Sequence, residues 1–121
     1  MPRTEVVLYA ELDGTCPFLD WLDRLPRKVQ DKCMVRIERL AELGHELRRP
    51  EADILRDGIH ELRASYQGVQ HRILYFFHAG SAVLAHGIVK ERQVPDADIQ
   101  RATERKAAYV ANPDRHTYRE S

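Results

Sequence analysis

The apolar positions of this chain follow two rhythms. Between residues 59 and 90, short runs rich in Val, Ile, Leu, Tyr and Phe are broken by Gln67-Gly68 and Ala79-Gly80. Two residues ending in glycine between such runs mark hairpin turns. Residues 59–66, 69–78 and 81–90 are therefore expected to form an antiparallel meander. Nearer the N-terminus the rhythm is helical. Phe18, Trp21, Leu22 and Leu25 recur at three- and four-residue steps behind Pro17, which suits a first helical turn, with Thr15 placed to cap it. Pro26 interrupts that pattern, so one helix is expected over 17–25 and a second over 26–43. The second carries Val29, Cys33, Ile37 and Leu40 on one stripe and Arg36, Glu38, Arg39 and Glu42 on the wet side, and Gly44 stops it.

The rest of the chain fills in around these elements. An apolar run at 5–12 reads as a first strand, closed by the Asp13-Gly14 turn. Residues 45–58 are polar and are expected to form a surface loop, anchored by Ile54 and Leu55. Asp96 or Asp98 opens a last helix through Ile99, Ala102, Arg105, Ala108 and Tyr109, and Asn112-Pro113 ends it. The expected order is β-α-α-β-β-β-α. That makes an α+β domain over residues 1–112, an antiparallel sheet packed on an N-terminal helical hairpin. The polar tail, 113–121, is expected to bury little and to be mobile.

The turns imply a register. A two-residue turn at 67–68 sets Tyr66 opposite Val69 and therefore Arg63 opposite Arg72, on one face and about 5 Å apart. The turn at 79–80 sets Gly87 opposite Arg72, where a glycine leaves room for a close approach. The same register puts Glu61 on the arginine face and His86 on the other. Two opposed guanidiniums repel each other. Either Glu61 neutralises them, or the pair is a site for an anion that brings the missing negative charge.

Composition narrows the classes. The 121 residues hold 19 Lys or Arg and 19 Asp or Glu, so the formal net charge is zero. A generic nucleic-acid binder usually shows a basic excess, so any polyanion site must come from local clustering. Arg48 and Arg49 are candidates for the rim of such a site. Cys16 and Cys33 lack metal-ligand spacing and suit a reduced, cytoplasmic chain. No apolar run has the roughly 18 residues needed to cross a bilayer, and the N-terminus lacks the apolar core of a signal peptide. No metal or cofactor is implied.

Several segments together resemble a known family. DGTCPFLDWLDRL, the Leu43-Gly44 helix end, LRDGIHELR, HRILYFF, and GIVKERQVP leading into DIQRATERKAAY are similar to the HigB-like, phage Gp49-type branch of the RelE/ParE toxin superfamily. The resemblance runs from about Asp13 to Tyr109. It implies the compact RelE/ParE-like fold and a type II toxin that cleaves messenger RNA, usually on the translating ribosome. It also implies a HigA-like antitoxin with a helix-turn-helix domain, through which alone the toxin would meet operator DNA. By position, Arg72 matches the residue that holds the scissile phosphate, Arg63 the basic residue of the preceding strand, and Lys90 and Arg92 the basic cluster after the last strand. The chain departs from the RelE pattern at His60 and Glu61, where lysines stand on that strand, and at Val94-Pro95, where some members carry a tyrosine.

The chemistry suits those residues. RNA is cut without a metal when its 2′-hydroxyl attacks the adjacent phosphorus, and guanidinium forks match the charge that builds on the phosphate oxygens. Arg72 and Arg63 are assigned to the phosphate, Lys90 to the phosphate or leaving oxygen, and Arg92 to steering the backbone. Glu61 and His86 are the candidate general bases. Glu61 is otherwise a salt-bridge partner for Arg63, and His86 a hydrogen-bonded core histidine. His60 and His71 are weaker candidates. Tyr109 and Tyr118 are either base-stacking or core residues. A second reading keeps the fold without cutting, as a gyrase inhibitor or a prophage protein that binds a partner.

Overall fold

The computed structural model describes residues 3–89 and 92–120. Five strands and three helices run in the order β1 (Glu5–Leu8), α1 (Pro17–Asp23), α2 (Arg27–Leu43), β2 (Ala52–Arg56), β3 (Ile59–Tyr66), β4 (Val69–His78), β5 (Ser81–Val89) and α3 (Asp96–Ala111). Single 3₁₀ turns follow α2 and α3, at Gly44–Glu46 and Pro113–His116. The α+β class is as expected. The order has one strand more, because β2 forms inside the stretch expected to be a loop.

The sheet order is β1-β5-β4-β3-β2. The four strands from β2 to β5 form an antiparallel meander, and β1 pairs parallel to β5, so the sheet is mixed and not wholly antiparallel. Each hairpin turns on two residues with positive φ: Asp57-Gly58, Gln67-Gly68 and Ala79-Gly80. Such turns match the right-handed twist of the strands they join.

The β3–β4 register is the expected one, with Arg63 opposite Arg72. The β4–β5 register is not. A bulge between Leu74 and Tyr75 lets β5 carry one extra residue, so Ile88 and not Gly87 faces Arg72. Gly87 lies opposite Ile73 on the other face. The bulge also turns His86, opposite Leu74, onto the arginine face, contrary to the uninterrupted alternation.

Helices cover both faces. On one, α1 lies over β5 and α2 over β3. Their core joins Phe18, Leu22, Val29, Cys33 and Leu40 to Leu62, Ile73, Tyr75 and Leu84. The expected α2 stripe is thus the buried one. Arg36 and Arg39 are not simply solvated, since both bond Glu51. On the other face α3 packs Ile99, Ala102 and Tyr109 on Ile59, Leu74, Phe76 and Val83. Thr15 does not cap α1; its hydroxyl bonds Asp13, and Cys16 holds the N-cap position. Ile54 does not anchor anything, with 57% of its surface exposed.

The tail buries more than its polarity suggests. His116 is buried and stacks on Tyr9 at 5.2 Å, and its Nδ1 bonds the Ala10 carbonyl at 2.8 Å. Thr117 bridges to Tyr9, and the Tyr118 N–H donates to Leu8 at 2.8 Å. No helix among the described residues is long and apolar enough to cross a membrane.

Gly87 of β5 lies directly under Trp21 of α1. A Cβ added there would sit 2.2 Å from Trp21 Cδ2. Gly87→Ala is therefore expected to lower stability by about 1–3 kcal/mol, the usual cost of overpacking, with a matching change in Trp21 fluorescence. Urea denaturation measures this; an unchanged midpoint and spectrum would show that Trp21 does not rest on Gly87.

Candidate functional site

The site grows out of the three-strand register. Asp53 of β2 faces Glu61 of β3, and Arg63 of β3 faces Arg72 of β4. Side chains two apart on a strand share a face, so all four project toward α3. Glu61 Oε1 accepts hydrogen bonds from Arg63 Nε at 3.1 Å and from Arg72 Nη1. Asp53 Oδ2 accepts from Arg63 Nη2 at 3.3 Å and from Arg49 Nε at 2.8 Å. Arg49, Asp53, Arg63, Glu61 and Arg72 thus alternate in sign across three strands.

Exposure falls along this ladder. The Arg49 side chain keeps 76% of its surface and Arg63 28%, whereas Glu61 and Arg72 are buried. Asp53 is partly desolvated, yet the Arg49 hydrogen bond, the Ile54 N–H and the charges of Arg49 and Arg63 hold its carboxyl below the usual range. The Glu61 bond likewise raises Arg63, against its partial burial. From the helical side, Arg36 Nε donates to the Arg63 carbonyl at 2.9 Å, which holds β3 at this point.

Above the ladder lies an open cleft of about 570 Å³ between β2 and the segment entering α3. Arg49, Arg56, Arg63, Arg72 and Arg92 line it, against Asp53, Glu61 and Asp96. Its apolar wall is made by Ile54, Leu55, Val94 and Ile99. A bulge between Ile54 and Arg56 sets Arg56 opposite Ile59, on the face that Asp53 and Leu55 already share, and beside Asp96 at 3.4 Å. Among the described residues of the lining, five arginines stand against three acids, a local surplus of positive charge in a chain whose total is zero.

The structure therefore brings together Arg72, Arg63, Arg49, Arg92 and Glu61. Lys90 lies outside the described residues. Arg48 is not part of the cleft, because its guanidinium folds back on the carbonyls of His45 and Leu47. His86 is also absent from the cleft. It is buried under α3, with Arg105 Nη1 2.8 Å from its Nδ1 and Asp98 Oδ1 3.5 Å from its Nε2. Arginine can only donate, so Nδ1 accepts and Nε2 carries the proton. His60 stacks on Tyr75 and His71 sits by Trp21, both on the face away from the cleft. Tyr109 is core, and Tyr118 packs against the α1–α2 side. Among the described residues no group of His, Cys, Asp and Glu could hold a metal ion.

Asp53, Arg56 and Asp96 were not anticipated. A signal existed for the first two: Asp57-Gly58 has the same turn grammar as the two hairpins that were read correctly, and it implies a strand before it.

The model of the family described as phage derived protein Gp49-like (DUF891) matches residues 20–107, a span that holds the entire cleft lining. That family is part of the RelE/ParE-like toxin group. No curated protein matches the chain.

Two expectations test this geometry. Glu61→Gln leaves Arg63 and Arg72 without their shared counter-charge, and is expected to cost on the order of 3 kcal/mol, as broken buried pairs do. Parental stability in urea would mean the carboxylate is dispensable. Burial, with help from the Arg105 charge and against that of Asp98, pushes His86 down to about 4. An unfolded histidine titrates near 6.5, so the unfolded chain takes the proton first. Stability that is full above about pH 6.5 is then lost as pH falls toward 4, by about 2–3 kcal/mol. His86→Gln is expected to flatten that slope, and an unaltered profile would rule it out as the source.

Proposed function

The chain belongs to the phage-derived Gp49-like family, and from that premise we propose that it is the toxin of a type II toxin–antitoxin pair and cleaves messenger RNA on the translating ribosome. One observation carries this reading. Two guanidiniums from neighbouring strands share one carboxylate on the floor of an open cleft rich in further arginines. Such forks bind phosphate oxygens in pairs and keep their charge at every working pH.

In this mechanism the RNA 2′-hydroxyl gives its proton to solvent water and its oxygen bonds to phosphorus, as the bond to the 5′-oxygen breaks and that oxygen takes up a proton from water. The products are a 2′,3′-cyclic phosphate and a 5′-hydroxyl. Arg63 and Arg72 hold the phosphate and stabilise the charge that grows on its oxygens, in the role a metal ion plays in other nucleases. Glu61, with Oε1 already accepting from both guanidiniums, sets their orientation and is a positioning residue in this scheme. Lys90 assists at the phosphate or the leaving oxygen. Arg49 and Arg92 steer the backbone from the rim. The partner is a helix-turn-helix, HigA-like antitoxin that carries the operator binding for both, and the toxin acts in the cytoplasm.

Induction of the toxin should arrest growth and produce transcript fragments with 5′-hydroxyl ends, mapped by primer extension. Arg63→Gln and Arg72→Lys should each lower cleavage about 10²-fold or more, while Arg48→Ala, outside the cleft, should remain as toxic as the parent. Unchanged cleavage by the first two variants would overturn the assignment. The occupied state of the arginine pair favours one alternative, a non-catalytic binder such as a gyrase inhibitor or a prophage protein that binds a partner. Intact transcripts with lost supercoiling would establish the gyrase case.

A further inference from the structure

We infer that the cleft takes one whole nucleotide unit, with its base laid on the apolar wall of Leu55, Val94 and Ile99. This rests on the reading that Arg63 and Arg72 hold a phosphate.

Three chemistries meet in this one cavity. The arginines call for an anion. Asp53 and Asp96 stand among them and disfavour a ligand that is anionic throughout, but they accept hydrogen bonds from hydroxyl and amino groups. Leu55, Val94 and Ile99 offer an apolar surface that water covers poorly. A nucleotide carries the matching set: a phosphate, ribose hydroxyls with base amino groups, and a planar base. The size agrees. About 570 Å³ is in the range of small-molecule sites, roughly 300–1,000 Å³, and a bare phosphate would leave most of it empty. An acidic peptide fits less well, since its carboxylates would meet the three acids of the cleft.

The arrangement has a local cause. Leu55, two residues on from Asp53, shares its face and packs in the α3-side core. Val94 and Ile99 are buried at the entry to α3 and so make that wall a fixed one. Arg56 and Asp96, paired at 3.4 Å, stand at the mouth where the base edge would lie.

The test is titration of the whole protein with adenosine, cytidine, guanosine and uridine 5′-monophosphates and with ribose 5-phosphate, followed by calorimetry and methyl NMR. The expected result is binding of at least one nucleotide about ten-fold tighter than the sugar phosphate, from the apolar area a base face covers. Methyl shifts should appear at Leu55, Val94 and Ile99. Leu55→Ala should narrow the gap to about three-fold or less while ribose 5-phosphate binds as before, with a urea melt showing the variant folded. Equal binding of nucleotide and sugar phosphate, or parental methyl shifts, would overturn the inference and leave the phosphate reading standing. Failure of every phosphate ligand to bind would overturn both. A poly-glutamate peptide that binds as tightly as the nucleotides, with the same Leu55→Ala loss, would overturn it in favour of a peptide groove.

Discussion

One carboxylate makes this site compatible with a folded sheet. Arg63 and Arg72 are directly cross-strand, a placement in which like charges about 5 Å apart destabilise the pair. Glu61 sits between them and is itself buried, so salt screens the interaction little. Asp53 then neutralises the outer side of Arg63, and Arg49 the outer side of Asp53. The result is a row of charges that alternates in sign from Arg49 to Arg72. Such a row is stable enough to exist in a mostly apolar sheet and remains attractive to an anion.

The cleft owes its shape to backbone irregularity as much as to side-chain identity. Without the bulge in β2, strict alternation would carry Arg56 to the face away from α3. The cavity would then lose the arginine paired with Asp96. The segment of residues 92–99 closes the other side by burying Val94 and Ile99 against the same sheet face. Charge is therefore sorted in space and not in total: a chain with zero net charge holds a basic hollow because its acids are spread elsewhere.

Much of this was legible in the sequence. The hairpin turn at Gln67-Gly68 was sufficient to place Arg63 opposite Arg72, because a two-residue turn leaves no freedom in the pairing next to it. The helical stripe of Val29, Cys33, Ile37 and Leu40 was equally plain. β2 was hidden because Arg48, Arg49, Pro50, Glu51 and Asp53 make its surroundings look solvated, although Asp57-Gly58 marked its end. The bulges were not legible, since an extra residue in a strand leaves no compositional trace, and His86 and Gly87 were assigned to the wrong faces as a result. The burial of His116 in the polar tail was hidden for a related reason. His116 is polar in type but is buried through a flat stack and a single carbonyl bond, neither of which a hydropathy scale registers.

The irregularity in β5 acts like a parity bit. Before it, odd and even positions report to one pair of faces; after it, to the other. Ile88 meets the arginine side and Gly87 slips beneath the indole of Trp21 only because the count has been shifted by one. Relatives of this chain should therefore tolerate substitution along that strand far more readily than a change in its length, since deleting one residue would exchange floor and roof for everything that follows.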